Sequence, residues 1–230
     1  MNMKLVIILL LAPVVLFSQS LKTIVSKEST NVGGAENTVN QIPSQSDTSN
    51  RKVIVNEDSI VSFVVNYYQP ELDKLKQEVS AELKITKEDG NLKIDYTKEG
   101  YSYFSRTIPL PKFLLKGDLN RDGKNDVVVS VWATGGTHAI WNDVFLFFGT
   151  KDGYKFYKKY DSYSLGSVKS YYAKFYPAHI NNGCLIGKMS MLAHNDPGCC
   201  PSLFYKTALK FNNGKFKIVS EKKIQETDNI

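Results

Sequence analysis

The chain has 230 residues, 42% of them hydrophobic and 12% aromatic, with a formal net charge of +6 at neutral pH. That much apolar surface builds a core and excludes a wholly disordered chain. The lysines are scattered among Asp and Glu and form no long basic block, so the charge balance reads as a soluble mixed surface rather than a nucleic-acid arm.

Met1 to Lys4 gives a positive start, Leu5 to Phe17 is an apolar run, and Ser18-Gln19-Ser20 supplies small residues. That is the build of a secretory signal peptide, residues 1–20, with cleavage after Ser18 or Ser20. The run is short for a membrane span, and no later stretch is long and apolar enough to be one. No cysteine lies near the cleavage site, which argues against a lipid anchor. The expectation is an exported protein, periplasmic or extracellular. Residues 21–52 are rich in Ser, Asn and Gln without hydrophobic period, the composition of a disordered linker. A single α+β domain is expected over 53–226, with 227–230 as a tail.

Asn56 is a natural N-cap, and Glu57 and Asp58 suit the positive end of a helix dipole. Ile60, Phe63, Val64 and Tyr67 recur at helical spacing, and Leu72, Leu75 and Val79 continue the stripe beyond Pro70. One kinked helix or two short ones should therefore span about 57–80. After residue 81 the pattern turns to strands. Hairpin signals fall at Asp89-Gly90, Asp152-Gly153, Asn182-Gly183 and Asn213-Gly214. Gly135-Gly136-Thr137 reads as a tight turn between Val127–Ala133 and Ile140–Phe148. In "YKFYKKY", simple alternation puts Tyr154, Phe156 and Tyr160 on one side and Lys155 and Lys159 on the other. The fold expected is α+β, the N-terminal helix packed on a mainly antiparallel sheet or sandwich.

One stretch carries the chemistry. In "GDLNRDGKNDVVV", Asp118, Asn120 and Asp122 occupy loop positions 1, 3 and 5, Gly123 position 6, Lys124 position 7 and Asp126 position 9. Calcium takes six to eight oxygens, and such a loop offers alternate side chains plus the Lys124 carbonyl turned inward by the glycine. An EF-hand needs a carboxylate at position 12 and a following helix. Here that position is Val129, in a β-branched run. The stretch resembles instead the calcium loop of FG-GAP and VCBS-type repeats, in which the last Asp closes the shell before a strand. The resemblance implies a structural Ca2+ held by Asp118, Asn120, Asp122, Lys124 and Asp126. The competing reading is a metal-free acidic turn with its own Asx hydrogen bonds.

The cysteines are Cys184, Cys199 and Cys200. Export would favour a bridge, either from Cys184 to one of the pair, closing a loop worth about 3 kcal/mol in the chain-entropy picture, or between the vicinal pair. Free thiols remain open as well. Asp196-Pro197-Gly198-Cys199-Cys200-Pro201-Ser202 resembles the D-P-x-C-C-P-S segment of small exported bacterial proteins and lipoproteins of no established activity.

No G-x-S-x-G elbow or H-E-x-x-H motif occurs. The sequence therefore favours a non-enzymatic structural or binding module of the bacterial cell envelope, with an envelope protein or glycan as partner rather than nucleic acid. The alternative is a hydrolase using His138, His194 and neighbouring groups such as Cys199 or Cys200.

Overall fold

The computed structural model describes residues 54–135, 139–170, 172–198 and 200–230, all within one compact unit. The signal peptide and linker expected over 1–52 lie outside them. Asn56 starts the first long element as the sequence predicts, its side chain accepting from the Ser59 N–H at 2.8 Å. Helix α1 then runs unbroken over Glu57–Glu78, with Pro70 inside it. Pro70 was expected to kink or split the helix. A proline removes one i→i−4 bond, and buried Tyr68 and Leu72 tie both sides of it to the sheet.

The strands are β1 (Ile54–Val55), β2 (Glu82–Glu88), β3 (Asn91–Lys98), β4 (Tyr101–Pro109), β5 (Leu115–Gly117), β6 (Asp126–Gly135), β7 (Ala139–Gly149), β8 (Tyr154–Asp161), β9 (Lys174–Asn181), β10 (Cys184–Met191), β11 (Leu203–Asn212) and β12 (Lys215–Ile224). They form two antiparallel sheets. The larger has the order β1-β8-β7-β6-β4-β3-β2, with β5 also paired to β6, and the smaller β12-β11-β10-β9. A short helix, α2 (Ser162–Gly166), starts from a capping box on Asp161.

Alternation along β6 and β7 divides the core. On one face α1 packs Phe63 edge-on to Phe147 at 5.4 Å and Tyr67 edge-on to Phe145 at 5.0 Å. On the other face Val128, Val144 and Leu146 join Phe175, Leu185, Met189 and Leu209 of the smaller sheet. Each fully buried side chain of this size stabilises the fold by about 1.5–3 kcal/mol. The architecture is thus a helix on one face of a large sheet and a second sheet on the other, α+β as expected.

Three of the expected turns have left-handed backbone at both central residues: Asp89-Gly90 (φ 48° and 77°), Asn182-Gly183 (50° and 69°) and Asn213-Gly214 (48° and 78°). These are the torsions a two-residue type I′ hairpin needs. Glu99-Gly100 (51° and 81°) makes the same turn between β3 and β4, unsignalled because glutamate is a poor marker for it.

Strand β8 departs from simple alternation. Phe147 pairs with Phe156 and Leu146 with Lys158, leaving Tyr157 as a bulge. The extra residue flips the rest of the strand. Phe156 faces α1 against Phe63, and Lys159 joins it there, 3.3 Å from Asp143. Tyr160 instead packs on Phe216 of the smaller sheet at 5.5 Å. Its phenol is pushed up to about 12 by burial, and among the described residues its hydroxyl finds no partner. The protonated phenol is the form this site accommodates, so its contribution holds below pH 10 and is lost as pH rises towards 12. Tyr160→Phe should raise stability at neutral pH by up to about 1 kcal/mol by removing an unsatisfied hydroxyl. Thermal melting checks this; a clear loss would mean that the hydroxyl has a partner after all.

Candidate metal centre

Strand β5 delivers the acidic loop and β6 receives it, pairing Gly117 with Asp126. Between them the side chains fold back on the backbone. The Asp118 carboxylate accepts from the Asp122 N–H at 3.1 Å and the Gly123 N–H at 2.9 Å. Asn120 Oδ1 also accepts from the Asp122 N–H, at 3.0 Å, and Asp122 Oδ1 from the Lys124 N–H at 3.0 Å. Asn120 Nδ2 donates to Asp122 Oδ2 at 3.2 Å. Gly123 sits at φ +83° with open space where a Cβ would be, so the turn needs its backbone freedom, not its small size.

Asp126 behaves differently from the other three. It is fully buried, and both its oxygens are taken by backbone amides. Oδ2 accepts from Leu119 at 2.8 Å and Asn120 at 3.2 Å, while Oδ1 accepts from Gly149 at 2.9 Å. Burial pushes its carboxyl above the usual range, and the three amides pull it partly back. Sequence reasoning placed Asp126 in the metal shell; in the structure it ties both ends of the loop to the end of β7. Gly149 is glycine for the same junction, since a Cβ there would lie 2.3 Å from the Asn125 carbonyl oxygen.

With Asp126 turned inward, Asp118 and Asp122 are the carboxylates left on the rim. Among the described residues no group of three His, Cys, Asp or Glu side chains converges as a metal cluster. The remaining donors are Asn120 and the Lys124 carbonyl. The carboxylate and amide oxygens that accept one N–H each keep lone-pair capacity for a hard cation, and two aspartates balance its charge. These are oxygen donors of the kind a hard cation takes, and Asp126 is not among them.

Beside the loop, Arg121 donates to the Asn182 carbonyl at 3.3 Å. It spans a shallow groove of about 510 Å³ between the loop and the β9–β10 turn, lined by Asp118, Ile180 and Asn181 among others.

His138 lies outside the described residues, and His194 is exposed. The Asp196 carboxylate accepts from the Ala193 and Ser202 N–H groups at 2.6 and 2.7 Å, and these bonds hold its pKa below the usual carboxylate range. Its job is to close the loop that follows β10. Cys184 is a free, half-buried thiol on β10, so neither bridge through it is formed. Cys199 lies outside the described residues.

Two features escaped sequence reasoning. One is a buried polar cluster of Tyr68, Arg106 and Asp143 beneath α1, signalled only by Asp143 inside an apolar strand. The other is the outward face of the smaller sheet, described below. Comparison with known proteins gives no family model, curated protein or solved structure that matches this chain.

Proposed function

We propose that this is an exported, non-enzymatic structural or binding module of the bacterial cell envelope whose acidic loop holds a structural calcium ion. The observation that carries the reading is the gathering of Asp118, Asn120 and Asp122 around a Gly123 turn that leads straight into strand β6. Calcium there would draw on Asp118, Asn120, Asp122 and the Lys124 carbonyl, while Asp126 holds the backbone that presents them. The ion supplies charge neutralisation and rigidity to a loop carrying two rim carboxylates. In an oxidising compartment the remaining cysteine bridge is the vicinal one, Cys199–Cys200.

Calorimetry and thermal melting of EDTA-stripped protein test the metal. Saturable calcium binding should raise the melting temperature, with about 2.7 kcal/mol of stabilisation at a hundredfold excess over Kd. Asp122→Asn should weaken it at least about tenfold, because one of two neutralising charges is lost. Absence of heat and of a melting shift at about 10 mM calcium, above the weakest extracellular sites, would reduce the loop to a metal-free Asx turn.

A further inference from the structure

The sequence disperses its lysines, but the register of the smaller sheet collects them. Its inward positions are fixed by Leu185, Met189, Leu209 and Phe216 in the core. Alternation, with Val219 left over as a bulge in β12 between the Ile218–Leu209 and Ser220–Ala208 pairs, then sends Lys188 of β10, Lys206 and Lys210 of β11, and Lys215, Lys217 and Lys222 of β12 to the outer face. No Asp or Glu occupies an outward position on these three strands. The one acid within β12, Glu221, pairs with Thr207 and faces inward, where it meets Lys169. Lys188 lies opposite Lys206, and Lys206 opposite Lys222, making a row across the sheet whose half-buried member on β10, Lys188, donates to the Glu226 carbonyl. Lys206, Lys215, Lys217 and Lys222 are exposed, and among the described residues none of them is ion-paired. Like charges directly opposite one another on a sheet are destabilising. Such a face gains when a polyanion covers it.

The row ends in an aromatic pair. Lys188 lies opposite Tyr176 of β9, whose ring stacks on Trp132 of the larger sheet at 5.7 Å and 13°. Trp132 is 48% exposed, an amphipathic ring held in one orientation by its neighbour. The apolar C–H face of a pyranose fits the negative face of such a ring. Neighbouring lysines in the row stand about 5 Å apart at Cβ, the scale of one charged sugar unit.

We propose that this face binds an anionic polysaccharide, its carboxylates or other anions on the lysine row and one sugar ring on Trp132. The proposal deepens the binding-module reading and needs no metal in the acidic loop. Single-stranded nucleic acid is a poorer fit, because its sites interleave stacking rings with cations along the track, whereas here the rings stand only at one end. A lipid surface is also a poorer fit, since peripheral membrane contacts set exposed apolar residues among the cations. Between these lysines stand Cys184, Ala208 and Ser220, with half-buried Ile186 and the exposed Val219 of the β12 bulge as the only branched aliphatic side chains among them.

The test is binding of labelled protein to polygalacturonate, uncharged dextran, a dT30 oligonucleotide and phosphatidylglycerol vesicles, each with calcium and with EDTA. The triple variant Lys206→Gln, Lys217→Gln, Lys222→Gln should lose at least about tenfold in affinity for polygalacturonate, and added salt should weaken the parent's binding. The charge-matched control Lys84→Gln, Lys98→Gln, Lys151→Gln, all exposed sites elsewhere, should lose less than about twofold. Trp132→Ala should lower affinity while leaving the salt dependence unchanged. Equal losses in the two triple variants, tighter binding to dT30 or vesicles than to polygalacturonate, or no binding to polygalacturonate at low salt would each overturn the proposal. Binding that persists in EDTA would support it even if the calcium reading fails.

Discussion

Asp126→Ala is expected to be among the most damaging single substitutions in the protein, costing about 3–5 kcal/mol because it orphans three backbone N–H groups, two of them fully enclosed. The carboxylate is fully buried and joins Leu119, Asn120 and Gly149, so its loss frees the acidic loop from β7. Asp126→Asn keeps one good acceptor but sets its own N–H2 against a backbone donor, and should cost about 1.5–3 kcal/mol. The penalty should depend on pH, with a sign the burial fixes. Burial raises the carboxyl's pKa in the folded state. Folded protein therefore binds this proton more tightly than unfolded protein, and the group's own contribution is fullest in acid and fades as pH rises through the folded pKa. Asparagine does not titrate, so the cost of Asp126→Asn should be larger near pH 4 than near pH 7, as read by urea unfolding at both values. A pH-independent cost would mean that the carboxylate is reached by water.

The hairpins were legible because type I′ turns demand left-handed backbone, and Asn-Gly or Asp-Gly announces that demand locally. Helix α1 was legible from its cap and its stripe. Pro70 was misjudged because propensity counts the lost hydrogen bond but not the tertiary contacts of Tyr68 and Leu72 that outweigh it. The bulge at Tyr157 could not be foreseen. It exists only relative to β7, and one extra residue there moved Lys159 to the helix side and Tyr160 to the inter-sheet side. Within the acidic loop the spacing named the right residues but treated them as equals. Asp126 separates from Asp118 and Asp122 because it is the first residue of β6, so strand pairing carries it under the loop. The lysine face was hidden for a related reason: "KFKIVSEKK" reads as mixed charge until the register turns Glu221 inward.

The polar cluster beneath α1 carries the second large expected effect. The Tyr68 hydroxyl donates to Asp143 Oδ2 at 2.6 Å, and Lys159 lies 3.3 Å from Asp143 Oδ1. The Arg106 guanidinium sits 4.2 Å from the Phe104 ring centroid and 4.9 Å from that of Tyr68, donating to the Ser105 carbonyl and to Glu71. Asp143 is the anion nearest the phenol and Lys159, so removing it leaves a buried hydroxyl and a half-buried ammonium without their acceptor. Asp143→Ala should cost about 3–5 kcal/mol, as for breaking a buried ionic contact. Tyr68→Phe should cost about 1–3 kcal/mol, since Asp143 keeps Lys159. The two share one hydrogen bond, so the double variant should fall short of the sum by about 1–3 kcal/mol in a denaturant double-mutant cycle. Additive costs would show that the two side chains are not coupled. Burial, reinforced by the Asp143 charge, holds the Tyr68 phenol well above its usual value. The stability it contributes is complete below pH 10 and is lost as pH climbs through the folded pKa. The gap between wild type and Tyr68→Phe should therefore narrow in strong alkali, and a gap that widens instead would place the phenolate in water rather than under the helix.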